Sequence, residues 1–180
     1  MDIVVTGYAG LEGSLAIYRD KTCRDKLSER YSEGFLGVLE DTAESEHKVG
    51  SELDRLYKDY VERGLADNGD NGGVLAALWR VLKANRSGGM YSLESIPVMQ
   101  QTVEICEMFA LNPYRLYAPG CRLWLTGDTG EVARAAASAG VPLCVIGFTS
   151  KGAAIRRTDT ELDSSLRRPD GDELGKIIRH

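Results

Sequence analysis

Residues 121–148, CRLWLTGDTGEVARAAASAGVPLCVIGF, leave the chain little freedom in how it folds. CRLWLT and PLCVIGF are apolar runs of strand length. The stretch between them, Gly130 to Ala139, is dominated by alanine, the residue with the highest helix propensity. Gly140 then supplies the turn into the second run. A strand–helix–strand unit is the clearest local architecture in the sequence, and it needs a sheet to join.

The rest of the chain offers one. DIVVT, residues 2–6, is a short β-branched run that places a strand almost at the first methionine. Glycines 7, 10 and 13 punctuate GYAGLEGS before a helical stretch from about Ser14 to Ser32, with a second short helix around Phe35 to Leu39. Val49, Leu53, Leu56, Tyr60 and Leu65 recur at helical spacing, with Gly64 as a C-terminal cap. Val74, Leu75, Leu78, Trp79 and Leu82 form another helical stripe. GMYSLESIP turns to a strand pattern closed by Pro97, and Met99 to Leu111 returns to helix with Val103, Cys106 and Phe109 or Ala110 inward. Asn112-Pro113 can open a short helix, and Pro119-Gly120 reads as a turn. Residues 152–157 suit a further strand, and the charged tail a weak helix. No repeat, low-complexity segment or interdomain linker interrupts the 180 residues, which are expected to form one domain.

Composition narrows the function classes. An apolar fraction of 43% and a charged fraction of 27% are those of a globular protein. A formal net charge of -5, with basic residues scattered apart from Arg156-Arg157 and Arg167-Arg168, argues against a nucleic-acid partner. No apolar stretch approaches the ~20 residues of a membrane span, and the first residues lack a signal-peptide pattern. Cys23, Cys106, Cys121 and Cys144 stand far apart without a CxxC pair, which suits reduced thiols and a cytoplasmic location.

Two glycine-rich stretches carry the candidate ligand-binding residues. The first is LADNGDNGGV, with Asn68, Asp70, Asn71, Gly72 and Gly73 ahead of the helical stripe. Free N–H groups at a helix N-terminus bind anions, and glycines let a phosphate come close. The sequence lacks the Walker-A lysine and hydroxyl and the GxGxxG spacing. A calcium loop begun at Asp67 fails because Leu78 takes the place of its glutamate. Asp70 or Asn71 as a simple N-cap explains the composition well, and better than a ligand site does. The second stretch is TGYAGLEGS, with Gly10, Glu12 and Gly13. Glu12 there suits either acid–base or cation chemistry, or a favourable charge at a helix N-terminus. His47 and His180 form no catalytic or metal-binding grouping, so no catalytic residue, metal or cofactor is expected.

DIVVTGYAGLEGSLAI, GGVLAALWRVL and IPVMQQTVEICEMFALNPYRLYAPGCRLWLT…AASAGVPLCVIGF resemble the C-terminal domain of AIR-synthase-related proteins. That superfamily includes aminoimidazole ribonucleotide synthase, thiamine-monophosphate kinase, selenophosphate synthetase and the HypE-type hydrogenase maturation factor, and the last is the nearest in flavour. The likeness covers residues 2–16 and 72–148, and is weak over residues 20–66. It implies an α+β fold, a mixed β-sheet covered by helices and partly ferredoxin-like. It also implies a single AIR-synthase-related C-terminal-like domain over residues 1–180, without the N-terminal ATP-binding domain that carries the family's metal- and phosphate-holding aspartates. The family's D-x-T-x-G-G signature falls on Asn68 to Gly73, where the aspartate and threonine are not kept. Asp67 restores the acid only with one inserted residue. The maturation factor's terminal cysteine has no counterpart in KIIRH.

The resemblance therefore leads to a stand-alone, non-catalytic domain that binds a small anionic ligand, such as a phosphorylated small molecule, or a partner protein. A face left without its usual neighbour favours a homo-oligomer, most simply a dimer, or a partner protein on that face. The alternative is the accessory half of a split hydrogenase-maturation-type or ATP-dependent phosphoryl-transfer enzyme, completed by a separate N-terminal-like subunit.

Overall fold

The computed structural model describes residues 1–46, 51–160 and 164–178. His47, Val49 and His180 lie outside the described residues. Six strands, β1 (Asp2–Thr6), β2 (Ala66–Gly69), β3 (Gly88–Tyr91), β4 (Ala118–Thr126), β5 (Leu143–Ser150) and β6 (Ile155–Arg157), form one sheet in the order β2-β4-β1-β5-β3-β6 among these residues. Every neighbouring pair is antiparallel except β3 with β6. The helices are α1 (Leu11–Arg19), α2 (Lys21–Ser28), α3 (Glu33–Glu46), α4 (Glu52–Glu62), α5 (Gly73–Ala84), α6 (Gln100–Phe109) and α7 (Thr129–Ala139). The result is the expected α+β fold with a mixed sheet. No helix among the described residues is long and apolar enough to cross a membrane.

The topology is two nested crossovers around β1. The unit read first from the sequence, β4-α7-β5, straddles β1, which lies antiparallel to both strands. This is the split arrangement of ferredoxin-like folds. β2-α5-β3 steps in the same direction across three intervening strands, but from strands that point the other way. Crossovers of one hand that step the same way from oppositely directed strands must lie on opposite faces. They do. Val74, Leu75, Leu78 and Leu82 of α5 pack with Ile3, Val5, Leu123 and Leu125 on one face. Val132, Ala135, Ala136 and Ala139 of α7 join Leu53 and Tyr60 of α4 over Val4 and Trp124 on the other. A third cluster, built by α1, α2, α3 and α6 around Leu11, Ile17, Leu27, Leu39 and Ile105, packs beside the sheet. Fully buried Leu78, Leu82, Leu123 and Ile3 each contribute about 1.5–3 kcal/mol.

Several elements differ from the sequence reading. The helix expected over residues 14–32 is two helices, because Asp20 ends α1 and caps α2, its Oδ1 accepting the Cys23 N–H at 3.0 Å. The short helix near residue 35 runs from Glu33 to Glu46. Residues 66–69, read as loop, are strand β2. Pro119-Gly120, read as a turn, lies inside β4. The two errors share one cause. Asn68 pairs with Arg122 while Gly69 pairs with Ala118, so residues 119–121 are extra in β4, and a register irregularity is where a sheet accepts proline. Gly64 and Gly140 do end their helices at φ 69° and 70°. The tail's helix is a short 3-10 turn, Glu173–Lys176.

Candidate functional site

β1 and β2 run parallel, so the glycine stretches that follow them leave from the same end of the sheet. Both press against one segment, residues 113–120, from different sides. A Cβ at Gly10 would stand 2.8 Å from the Pro113 carbonyl oxygen, and one at Gly13 would stand 2.5 Å from Leu116 Cγ. At Gly73, where φ is +67°, it would stand 2.5 Å from the Tyr114 carbonyl oxygen. The Gly13 N–H donates to the Tyr117 carbonyl at 2.8 Å. Glu12, in the first turn of α1, accepts the Gly120 N–H on Oε1 at 2.9 Å. Of the two readings of Glu12, its place at the start of the helix is observed, together with a strut to β4.

The entry to α5 is built differently from the N-cap expected at Asp70 or Asn71. The cap residue is Gly72, left-handed at φ 83°, with no side-chain cap hydrogen bond. The turn is instead held from below by Arg80. Helical side chains lean toward the N-terminus, so a long arginine two turns along reaches back to the turn. Its Nε meets Asp67 Oδ2 at 2.5 Å, its Nη1 the Asn71 carbonyl at 2.7 Å, and its Nη2 the Asn68 carbonyl at 2.9 Å. Asp70 is exposed and stands 3.8 Å from the same guanidinium. The Asp67 carboxylate is thus committed to Arg80 and is not directed at a ligand or metal.

The Gly72 N–H has a partner from a hundred residues away. Asp172 accepts it on Oδ2 at 3.0 Å, and accepts the Tyr117 and Leu174 N–H groups on Oδ1 at 3.1 and 2.8 Å. A carboxylate in the chain's own tail therefore caps its own 3-10 turn at Leu174 and also takes one amide at the α5 N-terminus, Gly72, and one ahead of β4, Tyr117. Sequence reasoning missed Arg80, Asp172 and the whole 113–120 segment. The acidic turn followed by an arginine on the next helix was a usable signal for the first. Nothing local marks Asp172.

Beside the turn, Asn71, Gly72, Ala76, Trp79, Arg80 and Arg168 help line a cleft of about 540 Å³. The thiols stand elsewhere. Burial pushes Cys106 up to about 12 and, with the Asp20 carboxylate nearby, Cys23 up to about 11, so both stay protonated at neutral pH.

No family model matches the chain, and no curated protein matches it. Solved structures do. The hydrogenase maturation protein HypE of E. coli superposes with a TM-score of 0.67 at 18% identity, over 98% of this chain and 52% of that one. The HypE–HypF complex gives a TM-score of 0.57 at 15% identity, over 93% of this chain and 52% of that one. Thiamine-monophosphate kinase from Stenotrophomonas maltophilia gives 0.55 at 17%, over 89% and 51%. The chain spans about half the length of each of these solved chains. Identity this low speaks for the fold alone, and that fold is the one seen in HypE and in thiamine-monophosphate kinase.

Proposed function

We propose that the protein is a non-catalytic, AIR-synthase-related C-terminal-like domain that binds a small anionic ligand at the sheet end carrying the α5 turn. The observation that carries this reading is the Asp172 carboxylate on the amides of Gly72, Tyr117 and Leu174. That end of the fold already holds an anion, and the cleft beside it is open. Of the candidate residues, Asn71 and Gly72 line the cleft and Asn68, Asp70 and Gly73 belong to the turn beside it, whereas Gly10, Glu12 and Gly13 contact the 113–120 segment. A non-catalytic role is supported by the pairing of Asp67 with Arg80 and by the Cys23 and Cys106 thiols, which stay protonated.

Thermal-shift titration against nucleotides, phosphorylated small molecules and divalent metals tests the reading. Saturable stabilisation by one anionic compound is expected. A flat panel from folded protein would sink it.

A partner reading rests on a separate observation. Met90, Val145 and Phe148 are exposed large apolar side chains on β3 and β5. Val145 pairs with Val4, and Met90 and Phe148 pair with each other, on the face that α4 and α7 cover over β2, β4 and β1 and at Leu143, the first residue of β5. Such a surface suits a second copy or another subunit. HypE has been solved with HypF, which supports a partner role for this chain as well. Light scattering at micromolar concentration separates these outcomes: a dimer supports self-association. A monomer whose stability responds to ATP and magnesium only with an added N-terminal-like subunit supports the split-enzyme alternative.

A further inference from the structure

The two arginine pairs that interrupt the otherwise scattered basic residues, Arg156-Arg157 and Arg167-Arg168, lie ten residues apart without obvious purpose in the sequence. The fold brings them side by side. β6 and the tail form an antiparallel bridge at Arg156 and Ser165, extended by the Leu166 N–H donating to the Ile155 carbonyl at 2.7 Å. The bridge forms one wall of a cleft of about 290 Å³, and the opposite wall includes Leu75 at the start of α5 and Arg115 from the 113–120 segment. Arg157, Arg167 and Arg168 line it with Arg115, so four arginines stand against one lining carboxylate, Asp170. Even with Asp159, which pairs with Arg157 at 2.8 Å, the cleft is net positive in a chain of net charge -5.

Two buried polar atoms of this cleft have no hydrogen-bond partner among the described residues: Arg115 Nε and Ser164 Oγ. Buried polar atoms are rarely left so, and two in one lining point to a missing acceptor. Arg115 Nη2 stands 3.7 Å from Asp170 Oδ2, whose side chain is 95% exposed. That contact is loose and easily displaced. Arg168 is steadied from the other side by its position over the Trp79 ring, 5.8 Å from the centroid. Leu75, Tyr91 and Leu166 supply apolar lining for the uncharged part of a ligand.

We infer that this arginine cleft is where the ligand's charge is held, and that the ligand is a small phosphate monoester. A tetrahedral dianion offers several acceptor oxygens, which suits converging guanidinium forks and a serine hydroxyl better than a single carboxylate does. The volume admits a small metabolite and no polymer. The inference rests on the proposed binding of a small anion at this end of the fold, but moves the charge recognition from the α5 turn to the arginines.

The test is calorimetric titration of the full chain with inorganic phosphate and with glycerol 3-phosphate, at ionic strength matched with chloride. Saturable binding is expected, tighter for the monoester. It should weaken at least tenfold in Arg115→Gln and in Arg167→Gln, which belongs to this cleft and not to the one beside the turn, and change less than twofold in Asn71→Ala. Circular dichroism confirms each fold. Should Arg115→Gln not fold, the exposed Arg167 gives the answer. Binding that survives both arginine variants but is lost in Asn71→Ala places the anion at the turn. That result overturns this inference and leaves the broader reading standing. Binding of other anions with none of phosphate or monoester also overturns it alone, and no anion binding at all overturns both.

Discussion

Gly73→Ala and the pair Asp70→Ala and Asn71→Ala discriminate between two accounts of how α5 begins. If Asp70 or Asn71 capped the helix, alanine there would cost about 0.5–2 kcal/mol. The structure predicts otherwise. Asp70 loses only an exposed ion pair at 3.8 Å, about 0–1 kcal/mol. Asn71 serves the turn through its carbonyl, which alanine retains. Gly73 is different. A left-handed conformation costs an L-residue about 1–2 kcal/mol. Its Cβ would also stand 2.5 Å from the Tyr114 carbonyl oxygen and 2.7 Å from Arg115 Cα, both backbone, so relief requires a shift costing about 1–3 kcal/mol. The stiffer unfolded chain returns about 0.4–1 kcal/mol. The net loss is about 1–4.6 kcal/mol, or roughly 2–18 °C in Tm for a chain of this size. Urea unfolding followed by circular dichroism measures it. A loss below 1 kcal/mol for Gly73→Ala, together with one above 1 kcal/mol for either neighbour, would refute the account.

Other expectations follow from the same contacts. Trp124→Phe removes the indole N–H donated to Thr6 Oγ1 at 3.0 Å in the buried centre, and should cost about 1–3 kcal/mol by urea unfolding. Asp159 is held down at about 2, chiefly by its hydrogen bond from Arg157 and despite its burial, against an ordinary aspartate near 4. Its folded value is depressed, so its contribution is present above about pH 4 and disappears as pH falls toward 2. Asp159→Asn should lower stability at pH 7 and flatten the loss between pH 4 and 2 in thermal melts. With a disulfide reagent at pH 8, half-buried Cys144 should react first. Cys23 and Cys106, buried and pushed up to about 11 and 12, should react only on unfolding.

What was legible in the sequence is what local periodicity controls. The strands over residues 2–6, 121–126 and 143–148 and the helices α5 and α7 are apolar patterns long enough to decide themselves, and Gly64 and Gly140 mark their own helix ends. β2 was not legible. Alanine, aspartate, asparagine and glycine are poor strand formers, and residues 66–69 are extended because β4 offers an edge. Asp20 was legible in principle, being an N-cap residue type at the break between α1 and α2. Asp172 was not, since its partners Gly72 and Tyr117 lie 100 and 55 residues away.

The site shows the same division, and it bears on how glycine and charge should be weighed. Glycine density signals that something comes close, without saying what. At Gly10, Gly13 and Gly73 the close neighbour is the protein's own 113–120 segment, so these glycines are explained by packing before any ligand is invoked. The net charge of -5, which speaks against a nucleic-acid partner, does not speak against a small anion. Charges beyond a Debye length of about 8 Å are largely screened at physiological ionic strength. An ion in the cleft therefore feels Arg115, Arg157, Arg167 and Arg168 more than carboxylates spread over the rest of the surface. An acidic chain can thus hold an anion site, provided the fold gathers its arginines. Here the gathering is done by an antiparallel bridge between Arg156 and Ser165, a pairing that neither composition nor periodicity encodes.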